Sequence, residues 1–195
     1  MKREASRAAL LDAAMRSFAE RGYAATTVAD IAGPAGHTSG AFYFHFKDKA
    51  ECFWAVVERR EELRGAWWEE ALEGLDPQSA SLEEVLARAF AHFEASLEGV
   101  SGWVLVMVDF HQQHRGDGEV GDRLAAVYRR WHAELAQFVS ALAAGGWIEA
   151  GRDPDALATQ AFAFAEGMFV HQRLYGLDPE AAQEAITEGL VRLLG

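Results

Sequence analysis

The sequence holds a single cysteine, Cys52, which excludes an internal disulfide and any zinc site built on several thiolates. The apolar run Trp103 to Val108, as long as any in the sequence, is far too short to span a bilayer, which takes about 20 such residues. Lys2 and Arg3 precede no apolar core of a secretion signal, because Asp12, Arg16 and Glu20 interrupt the stretch that would supply one. These deficits point to the cytoplasm. Catalytic signatures are missing as well: there is no G-x-S-x-G, no Walker A loop, no H-E-x-x-H and no Glu-x-x-His. His111 and His114, with Asp109 nearby, have the spacing of a metal pair but no clear third and fourth ligands. No metal, cofactor or catalytic residue is therefore expected. The sequence contains neither an internal repeat nor a low-complexity tract.

Basic residues are scarce, 18 against 30 acidic ones, and the net charge of −12 argues against a nucleic-acid partner until it is divided along the chain. Residues 1 to 49 carry +2 and the remainder −14. An acidic body beside a mildly basic head repels DNA everywhere except at one surface, which favours orientation over non-specific affinity. Half of the 195 residues are hydrophobic, enough for a packed core and against disorder, and the length suits one small and one larger domain.

The stretch TTVADIAGPAGHTSGAFYFHFKDK, Thr26 to Lys49, contains three helix starts in close succession. Thr27 with Asp30 caps the first, Thr38 or Ser39 the second, and the pair Asp48 and Glu51 the third; Gly36 supplies the positive φ of the turn. Pro34 has no N–H to give, so the first of these helices should end near Gly33. That grouping is a helix-turn-helix.

Thr26, Thr27, Val28, Ile31, Ala32, Ala35, Gly36, Gly40, Tyr43, Phe46 and Lys49, in that order and spacing, resemble the N-terminal domain of the TetR family of transcriptional regulators. The resemblance covers roughly residues 5 to 55. It implies an all-α fold: a three-helix helix-turn-helix head at 1–49, followed by a helical ligand-binding and dimerisation domain at 50–195. It also implies a partner, double-stranded operator DNA, met by Thr27, Thr38, Ser39, Gly40, Ala41, Phe42, Tyr43, His45, Lys47 and Lys49. Of these, Tyr43, His45 and Lys49 would take phosphates, as would Thr27 and Lys47; Lys2, Arg3 and Arg7 ahead of the first helix either reach phosphates or a minor groove or form a frayed, solvated end. No Arg, Asn or Gln stands on the second helix to make bidentate base contacts, so reading rests on hydroxyls, thymine methyls and DNA shape. His37 replaces the small aliphatic residue usual in the family and is expected to be a packed or half-exposed ring.

Along the chain, residues 4 to 21 read as an amphipathic helix with Leu11, Ala14, Met15 and Phe18 inward. The pattern from Asp48 to about Leu72 predicts one helix of roughly 36 Å, at ~1.5 Å per residue, linking the head to the second domain. A capped helix follows from Ser81, then a helix from Trp103 to about His114 that is apolar nearly all round and reads as buried. Residues 115 to 121 hold three glycines and read as a loop before a long helix that stops at Gly145-Gly146; Asp153-Pro154 and Asp178-Pro179 open the last two helices.

By resemblance the last pair forms a homodimer interface, with Phe164, Met168, Ile186, Leu190 and Leu193 as candidates. Trp67, Phe93, Trp103, Met107, Phe110 and Trp131 are candidate walls of an effector pocket. Asp109 and Glu166 each interrupt an apolar run; either could anchor a polar group of a ligand or pair with Arg129 or Arg173. The reading is a repressor released from its operator by a largely hydrophobic small molecule. The alternative is a helical ligand-binding or catalytic protein that has lost DNA binding.

Overall fold

The computed structural model describes the backbone of residues 2–64, 67–96 and 103–195, and the side chains of 3–63, 67–91 and 103–195. Every regular element among them is a helix, in agreement with the expected all-α class. The order is α1 (Lys2–Arg21), α2 (Val28–Ala32), α3 (Ser39–His45), α4 (Lys49–Arg64), α5 (Trp67–Leu72), α6 (Leu82–Ser96), α7 (Trp103–Gln113), α8 (Gly118–Gly145), α9 (Pro154–Tyr175) and α10 (Pro179–Leu194). The helix expected from Asp48 to about Leu72 corresponds to α4 and α5, with residues 65 and 66 outside the described set. None of the described helices is long and apolar enough to cross a membrane.

Packing divides the chain into two units, one of residues 1–65 with 105–114 and one of 66–104 with 115–195. In the first, Leu11, Ala14, Met15 and Phe18 of α1 are buried with Ile31, Phe42, Phe46 and Phe53. Phe110 from α7 stacks on Phe53 with ring centroids 3.8 Å apart, and Tyr23 meets both rings edge-on at 4.8 and 5.4 Å. The boundary drawn at residue 49 follows the motif; the packing keeps α4 and most of α7 with the head, because their aromatic side chains fill its interior.

In the second unit, Trp67, Val85, Leu86, Phe138, Val139, Leu142, Leu157 and Leu194 form a core drawn from α5, α6, α8, α9 and α10. Arg152 donates to the carbonyls of Leu193 and Leu194, at 2.9 and 2.7 Å, and so ties down the end of α10. Asp153 and Asp178 cap α9 and α10 as expected.

Two expectations need correction. The long helix α8 begins at Gly118, inside the stretch read as a loop, because the Asp117 carboxylate accepts the N–H groups of Glu119 and Val120 and this cap outweighs the poor helix propensity of Gly118 and Gly121. And α7 is not buried all round: Val106, Met107 and Phe110 are, but Val108 is 48% exposed.

Candidate nucleic-acid interface and effector site

Local chemistry builds the helix-turn-helix. Thr27 caps α2, accepting from the Asp30 N–H while the Asp30 carboxylate accepts the Thr27 N–H at 2.9 Å, a reciprocal box. Asp30 is held below the usual carboxylate range, first by its hydrogen bonds with Thr27. α2 ends at Ala32, so Pro34 falls in the turn and costs no helical hydrogen bond, and Gly36 adopts φ +71°. Thr38 then caps α3 through the Ala41 N–H.

α3 is two-faced. Phe42 is fully buried, which removes it from the expected DNA contacts and makes it the residue that seats the helix on the head. Tyr43 and Phe44 point outward, 58% and 67% exposed. Thr27, Thr38, Ser39, Gly40 and Lys47 are also exposed, and Ala41 and His45 are half-buried. Phe44 was missed among the sequence candidates, although an aromatic beside Tyr43 on a seven-residue helix with Phe42 inward has nowhere to go but out. The Arg3 guanidinium lies 5.3 Å from the Phe44 ring centre and that of Arg7 5.4 Å from Phe46. His45 is held below the ordinary imidazole range, first by burial and then by Arg3, His37 and Arg7, so these four basic groups crowd one side of the head. His37, half-buried, has its Nε2 3.0 Å from the Ser6 hydroxyl, a partner 31 residues away that no local pattern announces.

Lys49 has a different place from the one expected. Its ammonium donates to the carbonyls of Tyr23 (2.7 Å), Thr26 (2.8 Å) and Ala24 (3.3 Å) and sits 4.3 Å from the Tyr23 ring centre. Three donors meet three acceptors, which leaves nothing for a phosphate. Asp109 of α7 completes this arrangement by accepting the Ala24 N–H at 2.7 Å. Gly22 makes that approach possible: its φ is +81°, and a β-carbon there would lie 3.0 Å from the same carboxylate oxygen. Asp109 thus fastens the loop after α1 through one of its carboxylate oxygens.

The remaining effector candidates divide between the two units. Met107 and Phe110 belong to the interior of the first, and Trp67 to the core of the second, its ring 5.3 Å from that of Phe138. Trp103 is buried, and the side chain of Phe93 lies outside the described residues. Trp131 and Glu166 come together through a residue the sequence reading overlooked, Tyr128, whose ring centre is 5.2 Å from Trp131 and 5.9 Å from Phe162 and whose hydroxyl donates to the Glu166 carboxylate. Burial pushes the Glu166 carboxyl up and the hydrogen bond from Tyr128 pulls it back; burial followed by the charge of Glu166 pushes the Tyr128 phenol up. His114, of the suspected metal pair, packs its ring 4.2 Å from Phe110, and no group of three metal-ligating side chains occurs among the described residues.

Because the native Glu166 holds its proton more tightly than an unfolded chain would, its ionisation costs stability as pH rises through the raised value. Glu166→Gln is therefore expected to melt higher than the unmodified protein at neutral pH, the gap closing as pH falls into the ordinary carboxylate range. Melting curves from pH 4 to 8 check this, and a gap that widened on acidification would contradict it.

On the expected dimer surface the single chain already buries Ile186, which is thereby removed from it. Phe164 lies over Gly189 of α10 so closely that a β-carbon there would stand 2.2 Å from its ring, and Leu190 and Leu193 pack partly against the core. Met168 is half-buried. Exposed positions on α9 include Ala163, Gly167 and Leu174.

The sequence model of bacterial regulatory proteins of the tetR family matches residues 10–56, and that of the C-terminal part of BetI-type transcriptional repressors matches residues 82–195, more than half of the chain. The probable HTH-type transcriptional regulator ArpR of Pseudomonas putida is 45% identical over 74 residues, 37% of this chain and 35% of its own. The HTH-type transcriptional repressor KstR2 of Rhodococcus jostii (strain RHA1) is 38% identical over 96 residues, 49% and 47% of the two chains. The match thus spans between about a third and a half of these relatives' length. In fold, the regulatory protein TetR from Rhodobacter sphaeroides is similar with a TM-score of 0.75 at 24% identity, over 97% of this chain and 99% of that one. With one family model on the helix-turn-helix and a second along the helices that follow, the chain belongs to the TetR family of transcriptional regulators.

Proposed function

We propose that this chain binds operator DNA as a homodimer, represses transcription there, and is released by a largely hydrophobic small molecule. The observation that carries DNA binding is α3: Phe42 anchors it while Tyr43 and Phe44 stand out beside Thr38, Ser39 and Gly40, with Arg3 against Phe44. Hydroxyls and ring edges suit thymine methyls and sugar-phosphate, and Arg3, Arg7 and Lys47 supply the attraction to the backbone. A gel shift with the DNA flanking its own gene tests the reading, and no retarded species at low salt would overturn it.

Phe44→Ala is expected to weaken operator binding about tenfold and to leave non-specific binding and its salt dependence unchanged, since the ring carries no charge. Equal losses on operator and random DNA would take Phe44 out of sequence reading.

For release, α7 is the favoured route. Trp103 and Val104 pack with the second unit and residues 105–114 with the first, and Asp109 on this helix holds the loop that leads into α2. A shift of α7 would draw on that hydrogen bond and move the reading helices. A ~100-fold loss of DNA affinity requires a differential ligand affinity of about 2.7 kcal/mol, which burial of one aromatic or acyl group supplies.

A further inference from the structure

Arg3 and Arg7 stand on the first two turns of α1, His37 in the turn before α3, and His45 at the end of α3. Two rings bring the arginines to His45. Phe44 has the Arg3 guanidinium 5.3 Å from its centre and meets the His45 ring edge-on at 5.2 Å. Phe46 has the Arg7 guanidinium at 5.4 Å and the His45 ring at 6.3 Å. His37 is held on the same side by the Ser6 hydroxyl, and Lys47 just beyond α3 is exposed. The carboxylates of α2 and of the start of α4 are engaged elsewhere: Asp30 with Thr27 and Arg21, Asp48 with the Glu51 N–H, and Glu51 with the Lys47 N–H. Glu4, in the first turn of α1, is exposed. Burial, then Arg3, His37 and Arg7, keep the His45 imidazole in its neutral form.

From this cluster we propose that His45 is a proton-linked DNA contact: neutral on the free head, it takes up a proton when phosphates dock on this side, so that the head grips DNA more tightly as the pH falls through neutrality. The inference rests on the DNA-binding reading above and adds a means of regulation to it. Guanidinium groups keep their charge throughout this pH range, so imidazole is what can vary here. On the free head a proton on His45 meets like charges. A phosphate backbone offsets those charges and attracts the proton itself, and a protonated ring has two N–H groups to donate to phosphate oxygens where a neutral one has a single donor. Both effects favour the charged ring in the complex. The sign follows: a group that holds its proton more tightly on DNA than off it makes affinity fall as pH rises through the bound value, with no further gain below the free one. A lysine in this place would attract DNA at every pH, and a glutamine at none.

The test uses the full chain and a duplex from the DNA flanking its own gene. Calorimetry in buffers of different ionisation enthalpy counts the protons bound with the DNA, and titrations from about pH 6 to 8 follow the affinity. The unmodified protein should take up as much as about one proton per head and change in affinity by up to about tenfold per pH unit for each head. His45→Gln should remove that proton and flatten the pH dependence, its loss of affinity being greatest at the acid end. The α-amino group and the other histidines titrate in the same window, so the difference between the two proteins is the measure. Proton resonances of the histidine ring that contacts Phe44 and Phe46, followed against pH in the unmodified protein free and on DNA, keep the test intact if the variant fails to fold: that ring should titrate higher on DNA. Binding without proton uptake, uptake unchanged in His45→Gln, or a ring that titrates alike in both states overturns the inference and leaves DNA binding standing. Absence of binding at every pH overturns both.

Discussion

Lys49→Ala is expected to lower the first melting transition by roughly 10 °C and to abolish operator binding at the temperature where the head opens, without altering the salt slope measured below it. The ammonium holds the carbonyls of Tyr23, Ala24 and Thr26, which lie between the end of α1 and the start of α2. Hydrogen bonds to a charged group contribute about 1.5–3 kcal/mol, and the partial exposure of this one keeps the loss toward the lower end. In a unit of about this size each kcal/mol corresponds to about 4–8 °C. Burial holds the Lys49 pKa below its ordinary value while Asp109 opposes that, as befits a charge spent on internal carbonyls. Thermal denaturation and a salt titration of DNA binding distinguish this role from a phosphate contact. An unchanged melting point with a slope reduced by about one counterion would return Lys49 to the DNA interface.

Gly167→Glu is expected to convert the proposed dimer to monomers and, with it, to cost operator affinity of the order of a thousandfold, a loss on the scale that separates specific from non-specific binding. The position is a cleaner probe than Phe164, whose ring already serves the contact with Gly189 inside one chain. A β-carbon at Gly167 meets nothing within 4 Å, so the single chain has room for one there. Indeed Gly167→Ala should firm up α9 by up to about 1 kcal/mol if the face is free. If a second copy packs its α9 here, alanine instead weakens association and glutamate buries an unpaired charge. A monomer meets only one of two half-sites set about 34–36 Å apart. Sedimentation of both variants checks the pair of outcomes; a Gly167→Glu protein that remains dimeric moves the interface off this face.

Much of the fold was legible because helix starts are written locally. The Thr27 and Asp30 box, the Thr38 cap and the two Asp-Pro openings each need only a few consecutive residues, and each appears in the structure. The site was less legible because its contacts join distant parts of the chain. Asp109 and Ala24 are 85 residues apart, and a carboxylate that interrupts an apolar run looks the same whether it awaits a ligand, an arginine or a backbone N–H. Lys49 matched a motif, and a motif records that a lysine is needed without recording what its ammonium touches. The family's DNA contacts were carried over as a block, which swept in Phe42 although helical spacing sets it opposite Phe44. Tyr128 escaped notice for a related reason: on an amphipathic helix of 28 residues it read as one more aromatic, and only Glu166, brought alongside by packing, distinguishes it.

The stacking of Phe110 on Phe53 bears on how such regulators are recombined. Grafting this reading head onto another sensor by a cut after residue 49, or even after residue 65, would take away the ring that lies against Phe53 and Tyr23 together with the carboxylate that fastens Ala24. The portable module is discontinuous in sequence, residues 1–65 plus 105–114, and a working chimera must keep α7 native while exchanging the helices on either side of it.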